Sequence, residues 1–207
     1  SKEANQAVYN SDLLIAIGAR FSDRVTGDVN SFAKNAKIVQ IDIDNSEIDK
    51  NVLVDSALVG DINVILDKVI SEISDSEHPE WLAKIDSFRK PSTAAPDEFV
   101  PENIFRVMHD VLGDDVIVAT DVGQHQMWTA QFWPFKKPNH FITSGGLGTM
   151  GFGLGAAIGA RIGNPDTQVI HVTGDGSFRM NCNELATVAA QELPIITVVF
   201  KNNVLGM

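Results

Sequence analysis

Six short, mostly apolar runs constrain the fold of this chain more than any other feature: residues 13–17, 37–41, 57–59, 116–119, 168–173 and 195–200. Each is too brief for a buried helix. Ile195-Ile196-Thr197-Val198-Val199-Phe200 has no polar alternation, which predicts a parallel strand buried on both faces. Between the runs lie stretches with helical spacing, at 62–73, 101–112 and 177–191. This alternation of strand and helix predicts an α/β fold of two Rossmann-like parallel-sheet units.

The two units are expected at 1–75 and 101–207. The polar stretch between them, 76–100, carries Pro79, Pro91 and Pro96 and reads as a linker with a short helix at 81–88. Residues 1–9 read as a helix without a start signal, and the chain stops soon after its last strand, so both ends read as cut. The strand at 116–119 is expected to run into Thr120-Asp121 and then into a long loop holding Trp128, Phe132 and Trp133.

Half of the chain's 16 glycines fall between Gly145 and Gly163. Small residues at helical spacing there predict a helix packed very close to a neighbour or a ligand.

Charge narrows the choice of partners. A net charge of −11 and a pI near 4.7 repel nucleic-acid backbones and anionic membranes. An anionic ligand therefore needs a local device, either a metal ion or a helix N-terminus. Cys182 is the only cysteine, which excludes an intrachain disulfide and any Cys-rich metal centre and fits a reducing, cytoplasmic setting. No apolar run approaches the ~20 residues that span a bilayer, and no targeting core opens the chain.

One constellation supplies such a device. Gly174-Asp175-Gly176 ends one expected strand, and Asn202 follows the next, 27 residues after Asp175. Ligands of open parallel sheets collect at the carboxyl ends of strands. The glycines let backbone approach a phosphate, and the helix expected from Ser177 aims its N–H groups, with the Ser177 hydroxyl, at an anion. Asp175 and Asn202 offer the hard oxygens that Mg²⁺ prefers. Taken singly, Gly-Asp-Gly is a common strand-to-helix turn and Asn202-Asn203 a polar loop. Their spacing on one βαβ unit favours the metal–diphosphate reading.

This pattern resembles the signature of thiamine-diphosphate-dependent enzymes. Three further phrases resemble one branch of them, the catalytic subunits of acetolactate (acetohydroxyacid) synthases. They are Asp121-Val122-Gly123-Gln124-His125-Gln126-Met127-Trp128, Ser144-Gly145-Gly146-Leu147-Gly148-Thr149-Met150-Gly151-Phe152-Gly153, and Asn203-Val204-Leu205-Gly206-Met207. Gly18-Ala19-Arg20-Phe21-Ser22-Asp23-Arg24-Val25-Thr26-Gly27 resembles the middle, FAD-binding domain of the same branch.

The resemblance implies Mg²⁺ held by Asp175, Asn202 and the backbone carbonyl of Val204. It implies thiamine diphosphate contacts from Gly123, Gln124, His125, Gly148, Met150, Gly174, Gly176, Ser177, Met180 and Met207. Gly148 lends its carbonyl to the aminopyrimidine, and Met150 wedges beneath the cofactor's bend. For FAD it implies Gly18, Arg20, Arg24, Val25, Asp42, Ile43, Asp61 and Ile62, with Gln126, Met127, Gly145 and Gly146 from across the domain boundary. Without the family, Met150 reads equally as core filling, and His125 reads more often as a solvated loop residue. Arg20 and Arg24 read equally as surface ion-pair residues, and Asp42 and Asp44 as strand-end turn acids. No Gly-x-Gly-x-x-Gly fingerprint supports dinucleotide binding in this half. Ser22 and Gly155 stand where the family usually has aspartate and proline.

The activity implied is decarboxylation of pyruvate and condensation of the remaining hydroxyethyl unit with pyruvate or 2-oxobutanoate, in branched-chain amino acid biosynthesis. FAD is implied to be structural. A homodimer or tetramer, with a small regulatory subunit, is also implied. The family's cofactor-activating glutamate lies in a domain that these 207 residues do not include, so the isolated chain is expected to be inactive and carries no catalytic residue of its own. The rivals are another enzyme of the superfamily, such as pyruvate oxidase or glyoxylate carboligase, and a non-catalytic nucleotide-binding or interaction module.

Overall fold

The computed structural model describes residues 2–89 and 91–207. The chain divides into two compact units, Ser1–Ser92 and Thr93–Met207.

The first unit runs α1 (Lys2–Asn10), β1 (Leu13–Ile17), α2 (Asp23–Thr26), β2 (Lys37–Asp42), a 3₁₀ turn (Asn45–Glu47), β3 (Ser56–Val59), α3 (Ile62–Glu72) and α4 (Pro79–Phe88). Its strands form one parallel sheet in the order β1-β2-β3, with Ile17 opposite Ile41 and Asp42 opposite Val59. Strand side chains alternate between faces. Leu14, Ala16 and Ile38 join Phe21, Ala33 and Val52 in the core, while Leu13, Ile15 and Ile17 stay about half exposed. Helix α4 lies in the stretch read as a linker. It packs on α1 and groups with the first unit, so the division falls at Ser92/Thr93.

The second unit runs α5 (Pro101–Leu112), β4 (Val116–Thr120), α6 (Gln124–Phe132), β5 (Phe141–Thr143), α7 (Phe152–Gly163), β6 (Gln168–Gly174), α8 (Asp175–Asn181), a 3₁₀ turn (Cys182–Glu184), α9 (Leu185–Ala190) and β7 (Ile195–Phe200). All four strands are parallel, in the order β5-β4-β6-β7. The chain steps from β4 to one side and then returns to its other side. The switch point, where such sheets hold ligands, therefore lies between β4 and β6.

One face of this sheet buries Val116, Val118, Ile170 and Val172 against Phe105 and Trp133. Phe105 is fully buried and stacks on Phe200 with ring centroids 5.4 Å apart. The other face buries Ile117, Ala119 and Val169 beneath Ala157 and Ala160 of α7. The small-residue helix is thus packed close to the sheet. At Gly153 a Cβ would stand 2.6 Å from the Asp121 amide nitrogen, so only glycine allows this approach.

Three local expectations are corrected. The long loop after β4 contains a helix, α6. Its apolar residues fall all round the helix, which removes the amphipathic signal, but Thr129 donates to the His125 carbonyl at 2.7 Å and the helix is packed in place. The helix expected over 177–191 starts at Asp175 and breaks at 182–184. There Asn181 leaves helical geometry and donates to the Gly151 carbonyl at 3.3 Å. Strand β7 is not buried on both faces: it is an edge strand, with Ile196 at 44% and Val199 at 40% exposure.

Truncation of Phe105 tests the core reading. Phe105→Ala should destabilise the second unit by about 3–5 kcal/mol in urea unfolding. Val111→Ala, on the exposed side of the same helix, should stay within about 0.5 kcal/mol.

Candidate functional site

The carboxyl ends of β4, β6 and β7 bring together residues that are far apart in sequence. Asp175 opens α8 directly after β6, and Asn202 follows β7. The Asn202 backbone N–H donates to Asp175 Oδ1 at 3.3 Å, and Asn202 Nδ2 donates to Gln124 Oε1 at 2.9 Å. Val204 N–H donates to Asn202 Oδ1 at 3.2 Å, closing a local turn of the kind asparagine favours. Asn203 occupies the left-handed region (φ 58°) that this turn requires and that asparagine tolerates. Asn203 thereby has a conformational role, while Asn202 meets Asp175 through its backbone N–H.

Behind these residues sits a buried polar network. Asp121, 1% exposed, accepts at Oδ1 from the Gly153 N–H (2.8 Å) and at Oδ2 from His171 Nε2 (3.0 Å) and Thr173 Oγ1 (2.6 Å). Burial pushes its carboxyl up, but the bonds from His171, Thr173 and Gly153 outweigh this and hold it below the usual carboxylate range. His125 is buried, not solvated, with a bond to the Asp121 backbone and an unpartnered Nε2. Its ring lies between Gly123 and Gly174, where added Cβ atoms would come within 2.8 and 2.9 Å of it. Ser177, expected to offer its hydroxyl to a diphosphate, is buried and donates instead to the Val122 carbonyl at 3.0 Å.

Two of the expected methionines border glycine turns, one before α7 and one at the start of α8. Met150 Cε lies 3.7 Å from a Cβ position on Gly176, and the Met180 Cβ lies 3.2 Å from one on Gly151. Leu205, not anticipated, stands closest to Gly176, at 2.7 Å. Gly148 lies exposed in the loop before α7, and Met207 is exposed at the chain end. Gln126 donates to Thr143 Oγ1 at 2.8 Å, Met127 is exposed, and Gly145 and Gly146 occupy the exposed turn after β5.

In the first unit the expected residues also gather at strand ends. Gly18 follows β1, Asp42 and Ile43 lie at the end of β2, and Asp61 and Ile62 follow β3. The loop holding Arg20 is pinned from below: Gln40 donates to the Ala19 carbonyl (3.2 Å) and Asn51 to the Arg20 carbonyl (2.8 Å). Arg20, Arg24 and Val25 are exposed, and among the described residues neither arginine joins an ion pair. Asp42 and Asp44 behave as turn acids, each accepting a backbone N–H two residues ahead, and Asp61 caps α3 through the Asn63 N–H.

The residues present fit a magnesium–diphosphate group. Asp175 would supply a carboxylate, Asn202 an amide oxygen and Val204 a carbonyl, all hard oxygens. Among the described residues no cluster of three His, Cys, Asp or Glu offers a competing centre. The buried, unpartnered His125 Nε2 beside the Gly174 turn is the kind of orphaned polar atom that a bound polar group satisfies. Sequence reasoning missed Asp121, His171, Thr173 and Gln40. Their only signal was a polar side chain inside an otherwise apolar strand or at its end.

Residues 1–69 match the thiamine pyrophosphate enzyme central domain, and residues 121–207 match the C-terminal TPP binding domain of the same enzymes. The whole chain is 44% identical to a probable acetolactate synthase large subunit of Methanococcus aeolicus, covering 38% of it. It is 43% identical to acetolactate synthase isozyme 2 large subunit of Escherichia coli K12, again covering 38%. Over 99% of its length it is 43% identical to the chloroplastic acetolactate synthase of Arabidopsis thaliana, covering 32%. The chain thus spans about a third of the length of these relatives. Among the described residues no helix is long and apolar enough to cross a membrane.

The buried histidine makes stability depend on pH. Burial lowers the His125 pKa from 6.5 to about 4, against the opposing pull of Asp121. Between those values the unfolded chain binds the extra proton, so stability is full above pH 6.5 and falls as pH drops toward 4. The loss amounts to about 3 kcal/mol. Asp121 adds its own loss at still lower pH. Urea unfolding at pH 7.5 and 4.5 should show the drop, and His125→Gln should flatten it.

Proposed function

The chain belongs to the thiamine pyrophosphate enzymes, carrying their central and C-terminal cofactor-binding domains, and on that premise we propose that it works as part of an acetolactate synthase large subunit. The proposed reaction removes CO₂ from pyruvate and joins the remaining two-carbon unit to a second 2-oxo acid, pyruvate or 2-oxobutanoate. Thiamine diphosphate, when bound, supplies the electron sink for decarboxylation and carbon–carbon bond formation. The observation that most supports this reading is the meeting of Asp175 and Asn202 across 27 residues, at the carboxyl ends of neighbouring strands.

In this reading Asp175, Asn202 and the Val204 carbonyl hold Mg²⁺, which neutralises the diphosphate that a chain of net charge −11 would otherwise repel. Gln124, already bonded to Asn202, and His125 line the diphosphate with Gly123, Gly174 and Gly176. Gly148, Met150 and Met180 border the cofactor above the α8 turn. FAD, held as a structural group, takes the strand-end crevice of the first unit. Arg20 and Arg24 are its anion partners, a role supported by guanidinium groups that form no ion pair among the described residues. Active protein is an oligomer with a regulatory subunit and draws its activating glutamate from a further domain.

Two measurements test this. In the full-length enzyme Asp175→Ala and Asn202→Ala should abolish Mg²⁺-dependent retention of thiamine diphosphate on dialysis, and Asn203→Ala should weaken it less. Unchanged retention in Asp175→Ala would sink the assignment. The 207-residue chain alone should form no acetolactate from pyruvate and Mg²⁺–thiamine diphosphate, and detectable product would contradict the need for a further domain.

A further inference from the structure

We propose that His171 is a positioning residue: acting through Asp121, it keeps the first turn of α7 and the β4–α6 turn at one fixed spacing from the diphosphate turn. This rests on the cofactor reading above and concerns a residue that touches none of the proposed cofactor contacts directly.

His171 lies in the middle of β6, opposite Ala119, on the sheet face that α7 covers. It is completely buried on the face where Ala119, Val169, Ala157 and Ala160 form an apolar cluster, and its ring lies 6.4 Å from that of Phe178. An imidazole there carries a desolvation cost that an apolar residue would not. Its Nδ1 has no partner, so the site does not satisfy the ring fully. What the ring does contribute is one bond. The Asp121 carboxylate is ionised and accepts only, so His171 Nε2 carries the proton and donates to Oδ2 at 3.0 Å.

Asp121 passes that constraint to both walls of the crevice. Its Oδ1 takes the Gly153 N–H at 2.8 Å, fixing the start of α7 and with it the loop that carries Gly148 and Met150. Its backbone bonds to His125, whose ring is held between Gly123 and Gly174, one residue before Asp175. The packing leaves no slack: a Cβ on Gly153 would lie 2.7 Å from His171 Nε2 and 2.6 Å from the Asp121 amide. Thr173, donating to the same Oδ2 at 2.6 Å, holds the carboxylate from the end of β6 but reaches it from one side only. Without His171, Oδ2 keeps only the Thr173 bond, and the carboxylate's hold on the Gly153 N–H loosens.

The test uses the full-length enzyme with thiamine diphosphate at saturating Mg²⁺, comparing wild type, His171→Leu, His171→Gln and Asp175→Ala by equilibrium dialysis. His171→Leu should weaken cofactor binding roughly 10- to 100-fold, as loss of a residue that orients ligating groups does. It should also speed hydrogen exchange at the Gly153 amide in the cofactor-free protein. His171→Gln, which keeps a donor near the Nε2 position, should restore most of the affinity and the protection. A purely structural role would lower the unfolding midpoint without separating the Leu and Gln variants in affinity. If His171→Leu binds as wild type while Asp175→Ala does not bind, the positioning role falls and the cofactor reading stands. If Asp175→Ala binds as wild type, the cofactor reading itself falls. Should the Leu variant not fold, His171→Gln and His171→Asn replace it, since the shorter amide cannot reach Asp121; equal affinities of that pair overturn the inference.

Discussion

One buried carboxylate ties together the segments that surround the candidate site. Asp121 stands where β4 ends, and three donors from two segments converge on it: Gly153 at the start of α7, and His171 and Thr173 on β6. A buried charge is tolerated only when its oxygens are satisfied, and this one is. The arrangement needs α7 to approach the strand ends very closely, which the glycine at 153 and the alanines at 157 and 160 permit. Close packing and charge satisfaction are thus a single constraint, and the turns around the crevice inherit their positions from it.

The two units show different ways of placing polar groups at parallel strand ends. In the second, strand order puts β4 beside β6, so the Gly123–His125 turn and the Gly174–Gly176 turn share the switch point. In the first, the strands run in simple succession, and their ends present acids already engaged in capping and turn bonds, beside arginines left open to solvent. In the proposed reading the second unit's arrangement suits a metal-bridged anion, and the first unit's leaves anion contact to guanidinium groups and backbone.

Legibility in the sequence followed the physical range of each signal. The strands of both units were readable because consecutive apolar residues have few other uses in a soluble chain. Helix α6 was not, because its apolar residues form no stripe, and its stability comes from packing rather than from pattern. The break at 182–184 was hidden too, since it depends on Asn181 reaching the Gly151 carbonyl thirty residues away. The choice of Asn202 over Asn203 rested on resemblance alone; the structure adds that Asn203 sits in the left-handed region.

By itself the sequence determined the α/β class, the parallel strands, the family and the Asp175–Asn202 spacing, because hydrophobic periodicity and motif spacing are local and survive without coordinates. Only the tertiary structure decided that His125 is buried rather than solvated, that Ser177 is committed to Val122, and that His171 and Thr173 close on Asp121. Those facts arise from contacts between residues some 50 positions apart. Strand order and close packing set such contacts, and no local pattern encodes them.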